Sequence, residues 1–222
     1  SGRLARDGIS ILEDRIRPDV ILLDDAYQHR SVQPDFSILL TAYTNMYCDD
    51  WYLPTGDLRD GRREANRANL IIVTKCPKEL TVEEQSLIKV KLKPKTHQEV
   101  LFSYMAYDPM VLGSGSEVPL RNLRNRKVTL VTGIADPKPL ALFLEKQGIS
   151  FEHLSFRDHH FFTQKELEVL NSKEFILTTE KDYVRLKGKV TGIHHILVEH
   201  RFLDEGGKLI KDTLSGFMKR SS

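Results

Sequence analysis

The sequence of 222 residues lacks closely spaced cysteines, long apolar runs and a large excess of charge of either sign. Its two cysteines, Cys48 and Cys76, lie too far apart for a metal-binding pair and favour a reducing, cytoplasmic compartment. No apolar run approaches the roughly 18 to 20 residues that a membrane-spanning helix needs. Basic residues number 33 and acidic residues 31, so the charge predicts no nucleic-acid partner. These absences indicate a soluble globular chain with one large or two small domains.

A short stretch near the start carries the first candidate site. Val20 to Leu23 form a continuous apolar run, typical of a strand buried in a parallel sheet, and Asp24 and Asp25 follow it directly. Ligands bind beyond the carboxyl ends of such strands. Paired carboxylates there are what a Walker-B position supplies to hold Mg²⁺ against nucleotide phosphates. A strand followed by a solvated acidic turn is an equally weighted alternative.

The glycine-rich phosphate-binding pattern G-x-x-x-x-G-K-[ST] is missing from the sequence. If the acidic pair is a Walker B, we expect the phosphate-binding loop to lie upstream of Ser1. His29 could contact phosphate or substrate, or orient an aspartate, although a lone loop histidine is more often structural. Arg59, in the loop at 49–61, could clamp a phosphate or pair with the acidic residues. An ordinary surface loop pinned by Trp51 is the alternative for that segment.

The second half contains a further acid–base candidate. Asp158, His159 and His160 follow a predicted strand at 151–156, and a histidine paired to a carboxylate is held in one tautomer. A helix-entry loop with hydrogen-bonded histidines is the alternative interpretation. Gly133 permits a tight turn whose backbone N–H groups could face an anion, but a single glycine does not make a dinucleotide-binding fingerprint.

The apolar patterning alternates between strand and helix along the whole chain. Strands are predicted at 20–23, 36–41, 70–76, 100–107, 127–132, 151–156 and 193–200, and the segment 175–182 is predicted to form a strand, a turn and a short helix. Helices are predicted over residues 4–16, 62–69, 81–92, 138–147, 163–170 and near 209–217, with capping boxes at Thr81–Glu84 and Thr163–Glu166. The breaker-rich stretch 112–119 suggests a domain boundary.

Several motifs, taken together, resemble one known family. They are Asp-Val-Ile-Leu-Leu-Asp-Asp-Ala-Tyr-Gln-His (19–29), Leu-Pro-Thr-Gly-Asp-Leu-Arg (53–59), Thr-Gly-Ile-Ala-Asp-Pro (132–137), Phe-Arg-Asp-His-His-Phe (156–161) and Thr-Thr-Glu-Lys-Asp (178–182). In order and spacing they resemble the tetraacyldisaccharide 4'-kinases, the lipid A 4'-kinases. Ala26 stands where many members have glycine, and Asp57 and Asp60 stand where proline and glutamate are common.

The resemblance implies a reaction and roles for residues. ATP with Mg²⁺ would phosphorylate the 4'-hydroxyl of tetraacyldisaccharide 1-phosphate, with Asp24 and Asp25 holding the metal. His159, chosen over His160, would pair with an upstream aspartate that accepts the hydroxyl proton, and Asp158 would orient it. The weaker candidates for contacts near the phosphates or the glycolipid headgroup are Gln28, His29 and Arg59.

The family also has an upstream phosphate-binding loop, a catalytic aspartate and an N-terminal amphipathic helix on the cytoplasmic face of the bacterial inner membrane. None of these is in this sequence, so we expect a C-terminal portion that is inactive alone and whose membrane contact belongs to the missing segment. The expected fold is α/β: a P-loop-kinase-type, mostly parallel sheet at 1–110, a smaller α/β domain at 111–192, and a linker strand and returning helix at 193–222. The strands near 100–107 and 193–200 would pair as a two-stranded linker, with hinge closure assembling the site.

Three other interpretations stay open. The chain could be a non-catalytic nucleotide or sugar-nucleotide binding module, which ATP binding by the chain alone would favour. It could be a structural domain without a ligand, whose histidine loops would then tolerate alanine. A metal hydrolase that uses the paired aspartates and histidines ranks last, because no third protein ligand is well spaced.

Overall fold

The computed structural model describes residues 2–28, 31–49, 62–113 and 115–221. The helices are α1 (Gly2–Arg15), α2 (Val82–Leu92), α3 (Lys138–Lys146), α4 (Gln164–Asn171), α5 (Glu180–Leu186) and α6 (Gly206–Ser221), with 3₁₀ helices at Arg62–Arg67 and Leu120–Leu123. The strands are β1 (Ile38–Ala42), β2 (Leu70–Thr74), β3 (Glu99–Gly113), β4 (Ser116–Pro119), β5 (Val128–Thr132), β6 (Phe151–Ser155), β7 (Phe175–Thr179) and β8 (Ile193–Phe202).

The chain separates into two compact units. The first contains residues 1–105 and 200–222, and the second contains residues 106–199. The long strands β3 and β8 each include residues of both units, and they are hydrogen-bonded neighbours, as predicted for the strands near 100–107 and 193–200. No helix in the described ranges has both the length and the apolar character needed to cross a membrane.

The first unit is built on three parallel strands. β2 lies between β1 and the start of β3, with Leu70 opposite both Ile38 and Glu99. The four residues 70–73 are all buried, as expected for a central parallel strand that is covered on both faces. The predicted mostly parallel α/β architecture is therefore confirmed.

The outer strand of this sheet, β1, is buried on one face only. Leu39 packs against the core of the first unit, whereas the side chain of Leu40 is 63% exposed and Ile38 is exposed as well. The sequence predicts a buried strand at 36–41; a strand does form at Ile38–Ala42, but one of its faces is exposed. Successive side chains of a strand point to opposite faces, and within the described part of the chain nothing covers the second face of β1.

The stretch before the acidic pair also differs from its prediction. Residues 20–23 are not a strand, and Val20, Leu22 and Leu23 are exposed, Leu22 to 90%. An apolar run makes a strand favourable, but a strand forms only where a neighbour accepts its backbone hydrogen bonds. None of the described strands pairs with these residues, which is the physical reason for the difference.

Helix boundaries set by local sequence agree well with the structure. At the start of α2 the Thr81 hydroxyl accepts a hydrogen bond from the Glu84 N–H, and the Glu84 carboxylate accepts one from the Thr81 N–H. The same reciprocal pair joins Thr163 and Glu166 at the start of α4. Each box satisfies N–H groups that the first helical turn leaves without a partner, so these residues fix where the helices begin.

The second unit is a parallel sheet in the strand order β8-β7-β5-β6, with β4 forming an antiparallel hairpin with the end of β3. All five residues of β5 are buried, as its central place requires. The chain leaves β5 towards β6 on one side and leaves β7 towards β8 on the other. The connections therefore diverge between β5 and β7, and in open α/β sheets ligands bind beyond the carboxyl ends of strands at such a point.

Candidate functional site

The predicted acid–base residues lie in a tight turn directly after β6. Phe156 N–H continues the pairing with β5 by donating to the Thr132 carbonyl, 2.7 Å away, and the turn closes when His160 N–H donates to the Arg157 carbonyl at 3.1 Å. His159 has a φ of +60°, the left-handed conformation that non-glycine residues seldom adopt. Because β5, β6 and β7 are parallel, this turn lies at the same edge of the sheet as the ends of β5 and β7.

The side chain of His159 is 72% exposed, and its ring is held from one side by an arginine. Arg185 Nη2 lies 2.9 Å from Nδ1 of His159. A guanidinium can only donate hydrogen bonds, so Nδ1 must be the acceptor. The neutral ring therefore carries its proton on Nε2.

Asp158 supports the turn more than it orients the ring. Its Oδ1 accepts hydrogen bonds from the backbone N–H of His159 at 2.9 Å and from Lys181 Nζ at 2.7 Å. The Lys181 ammonium is the main cause that holds the pKa of Asp158 below its usual value. Oδ2 of Asp158 lies 3.7 Å from Nε2 of His159, which is too long for a hydrogen bond.

His160 is occupied by structural contacts. Its Nε2 lies 3.0 Å from Oε2 of Glu166, and its ring stacks on Phe156 with a centroid separation of 4.7 Å and meets Phe162 edge to face. The Glu166 carboxylate, which also caps α4, has its pKa held below the usual value, first by the backbone N–H of Thr163 and then by the His160 ring. Of the two histidines, His159 is the one whose Nε2 faces outward.

A buried carboxylate joins the ends of β5 and β7. Asp182 is fully buried, and its Oδ2 accepts hydrogen bonds from Gly133 N–H at 2.8 Å and from the Thr179 hydroxyl at 2.9 Å. A Cβ on Gly133 would lie 3.0 Å from Oδ1 of Asp182, so glycine permits this close approach. The anion that the Gly133 N–H faces is thus the protein's own carboxylate. Arg185 Nη1 completes the cluster, 3.4 Å from Oδ1 of Asp182.

Lys181, Asp182 and Arg185 are not among the functional candidates predicted from the sequence. Their signal was present, because the Thr-Thr-Glu-Lys-Asp block follows a predicted parallel strand and Lys181 and Arg185 are four residues apart on one helix face. Next to them lies a cleft of about 180 Å³. It is lined by His159, His160, Phe161, Phe162, Arg185 and Lys189.

The acidic pair lies in the first unit, in a turn of its own. Asp24 and Asp25 are both exposed, and Asp25 adopts a left-handed φ of +46°. Tyr27 anchors the segment, because its hydroxyl donates to the Glu64 carbonyl at 2.7 Å and its own carbonyl accepts from Arg67 at 2.9 Å. The Arg67 guanidinium also lies over the Tyr27 ring, 4.6 Å from its centroid.

The remaining candidates contribute less to the described geometry. Gln28 is half-buried beside the anchored tyrosine, whereas His29 and Arg59 lie outside the described residues. Among the residues that are described, no group of three or more histidine, cysteine, aspartate or glutamate side chains could hold a metal ion. Asp24 and Asp25 offer two exposed carboxylates, which suits a cation that takes one or two protein ligands and completes its shell with phosphate and water, as Mg²⁺ does.

The two groups of parallel strands, with helices between them, define a mixed α/β protein, a class in which ligands bind beyond the carboxyl ends of the strands. A model of the family described as tetraacyldisaccharide-1-P 4'-kinase, LpxK, matches residues 3–212. The chain therefore belongs to that family.

Individual relatives agree with this assignment. A protein of Flavobacterium johnsoniae named tetraacyldisaccharide 4'-kinase is 43% identical over 199 residues, which are 87% of this chain and 58% of the relative. One of Bacteroides thetaiotaomicron with the same name is 38% identical over 205 residues, 84% of this chain and 52% of the relative. This chain thus spans a little over half the length of these relatives.

A crystal structure of the "apo" form of LpxK from Aquifex aeolicus in complex with ATP has a similar fold. The TM-score is 0.69 at 24% sequence identity, with 96% of this chain and 62% of that chain covered. At this identity the likeness supports the fold, and the predicted α/β class agrees with it.

Proposed function

We propose that this chain is part of an ATP-dependent kinase that phosphorylates the 4'-hydroxyl of tetraacyldisaccharide 1-phosphate, a step of lipid A synthesis. The observation that carries the proposal is the family match over residues 3–212. Because the sequence has no glycine-rich phosphate-binding loop, the proposal assigns the ATP cradle to a segment outside it, and the 222-residue chain alone is expected to be inactive.

In this proposal the two turns have separate tasks. Asp24 and Asp25 would hold Mg²⁺, which when bound neutralises charge on the nucleotide phosphates. Their exposure and the anchoring of their turn by Tyr27 support this role, since the carboxylates stay accessible on a fixed backbone. Gln28, His29 and Arg59 would contact phosphate or the sugar headgroup nearby.

His159 would act indirectly, by orienting the carboxylate that accepts the proton of the sugar hydroxyl. The 4'-oxygen forms a bond to the γ-phosphorus as the bond between that phosphorus and the leaving ADP oxygen breaks, and the hydroxyl proton passes to an aspartate outside this chain. The Nε2–H of His159 would donate a hydrogen bond to that aspartate and orient it. The outward-facing Nε2, with Nδ1 already held by Arg185, supports this assignment over His160.

The substrate class implies where the enzyme works. A tetraacylated disaccharide resides in a membrane, so the proposed site of action is the cytoplasmic face of the bacterial inner membrane, with membrane contact made through a segment outside this sequence. The exposed ring of Phe161, 91% accessible beside His159, is available for apolar contact with such a substrate.

The test is ATP-dependent phosphorylation of tetraacyldisaccharide 1-phosphate by the 222-residue chain and by the full-length gene product. The informative variant is His159→Asn, because asparagine tolerates the left-handed conformation of this turn and removes only the imidazole. We expect a loss in kcat of up to about 10²- to 10⁴-fold, the usual contribution of general acid–base catalysis, because the aspartate that takes the proton would lose its orienting partner. His160→Asn, which removes the neighbouring ring, serves as the matched control and should retain most activity.

The outcomes separate the alternatives. A full-length gene product without kinase activity overturns the proposal, and ATP binding without transfer would then favour the nucleotide-binding module. Full activity of His159→Asn keeps the kinase and removes this histidine from the mechanism. Equal losses in the two histidine variants would mean that the aromatic packing of the turn, and not His159 itself, is what matters.

A further inference from the structure

The ring of His159 is oriented by a chain of contacts that begins in the core of the second unit. Asp182 is fixed by Gly133 N–H and the Thr179 hydroxyl, at 2.8 and 2.9 Å. It holds Nη1 of Arg185, whose Nη2 donates to Nδ1 of His159 at 2.9 Å. The first member is fully buried, and the last is largely exposed. A side chain on an exposed turn is thereby tied to the strand ends of the sheet.

The arginine contact has a chemical consequence beyond position. A neutral imidazole carries one proton on either nitrogen, and a partner that can only donate selects the tautomer with the proton on the other nitrogen. Arg185 is such a partner for Nδ1 at any pH a protein tolerates, because a guanidinium does not deprotonate there. In the neutral ring of His159, Nε2 therefore carries the proton and acts as a hydrogen-bond donor.

The acid next to His159 in sequence does not compete for this donor. Oδ2 of Asp158 is 3.7 Å from Nε2, and Oδ1 is taken by Lys181 and by the backbone of the turn. We infer that Arg185, held by Asp182, is a positioning residue that fixes the Nε2–H tautomer of His159 and leaves that proton free for a carboxylate of another segment. The use of the proton rests on the proposed kinase function, but the tautomer assignment does not.

The first experiment reads the tautomer directly, without any activity. Two-dimensional ¹H–¹⁵N correlation spectra of the imidazoles of the 222-residue chain distinguish a protonated ring nitrogen from an unprotonated one, and His159→Asn assigns the resonances. We expect a single Nε2–H form in the parent chain. Arg185→Met should give a mixture of tautomers, and Arg185→Lys, which keeps a donor, should retain most of the Nε2–H form.

Lys189→Met is the matched control, because it removes a cation from the same cleft while the hydrogen bond to the His159 ring comes from Arg185. Unchanged His159 resonances in Arg185→Met overturn the inference, as does an equal change in Lys189→Met. If Arg185→Met does not fold, Asp182→Asn with Arg185 intact provides the second route, since loosening the arginine should also give a mixture of tautomers.

The second experiment asks whether the tautomer serves catalysis in the full-length gene product. Arg185→Met should lower kcat by roughly 10- to 100-fold, by analogy with outer partners that orient metal-bound histidines, with little change in KM. Arg185→Lys should lower kcat less than Arg185→Met does, because lysine keeps a donor. If the spectra change as expected while the enzyme has no kinase activity to lose, the positioning role stands and the proposed function fails. If activity is present and kcat does not respond, the catalytic use of the proton is overturned.

Discussion

The two candidate turns resemble each other in sequence and differ in how the fold supports them. Each has an acidic residue beside a non-glycine residue in the left-handed conformation, Asp25 with a φ of +46° and His159 with a φ of +60°. Such residues persist only where the surroundings hold them, and they cluster at functional sites. The likeness therefore extends from sequence to backbone.

The support for the two turns comes from different sources. The histidine turn follows a strand that is paired with β5, and contacts from Lys181 and Arg185 reach its side chains from the helix after β7. The acidic turn follows residues 20–23, which form no strand, and Tyr27 links it to the neighbouring 3₁₀ helix. A turn at the end of a paired strand receives side chains from the adjacent strand ends, because parallel strands finish at one edge. A turn without a paired strand depends on its own anchors.

The largest expected effect is on stability, and it compares a buried residue of β7 with an exposed residue of the run 20–23. Leu177 in β7 is fully buried, so Leu177→Ala should reduce the free energy of unfolding by about 2–5 kcal/mol. Leu22→Ala should change it by less than about 0.5 kcal/mol, because Leu22 is almost fully exposed. Urea denaturation followed by circular dichroism measures both. Similar losses of free energy of unfolding in the two variants would mean that residues 20–23 are packed in solution. The difference in support between the two turns would then be wrong.

The next effect concerns the carboxylate that joins the strand ends. Asp182→Asn replaces an acceptor by an amide group next to the Gly133 and Thr179 donors, which leaves a buried donor without a partner. We expect a loss of about 1–3 kcal/mol in the free energy of unfolding. Asp136→Asn is the matched control, since Asp136 Oδ1 accepts from the Lys138 N–H at an exposed position and the asparagine side-chain oxygen can accept the same bond. Equal losses of free energy of unfolding in the two variants would mean that the buried carboxylate of Asp182 does not stabilise the strand ends.

The sequence was most informative where the determinants are local. Both capping boxes begin their helices at the predicted residues, because the threonine and the glutamate are three residues apart and need nothing else. The buried run 70–73 lies in the central strand of the first unit, since a run apolar on both faces suits such a place. The choice of His159 and Asp158 as candidates also follows from their place after a predicted strand.

The sequence was least informative where distant residues decide the outcome. The run at 20–23 has the composition of a buried strand, but pairing depends on a neighbour that composition does not identify. Arg185 is separated from His159 by 26 positions, and only the order β7-β5-β6 brings their strand ends to one edge. The orienting partner of the ring therefore became visible only in the fold, while Asp158 was the sequence-adjacent choice.

A smaller effect is expected at the anchor of the acidic turn. Tyr27→Phe removes the hydrogen bond to the Glu64 carbonyl and should reduce the free energy of unfolding by about 0.5–1.5 kcal/mol. The more specific readout is amide hydrogen exchange, which should accelerate at residues 24–28. Tyr47→Phe removes an equivalent bond, to the Leu92 carbonyl, and should leave exchange at 24–28 unchanged. Equal exchange in the two variants would show that Tyr27 does not hold the turn.

The smallest expected effect is a difference between the two capping boxes in how their contribution to stability depends on pH. The pKa of Glu166 is held low, first by the Thr163 backbone and then by the His160 ring, so its carboxylate adds stability above the ordinary glutamate pKa of about 4.3 and loses that contribution as the pH falls through the lowered value. Glu166→Gln should therefore destabilise the protein at neutral pH and cease to do so in acid. Glu84→Gln alters the same kind of box without a histidine partner and should cost less. Thermal unfolding from pH 7 to pH 3 measures both variants. If Glu84→Gln costs as much as Glu166→Gln at neutral pH, the contact with His160 adds nothing to the box, and the histidine turn loses one of the supports that distinguish it from the acidic turn.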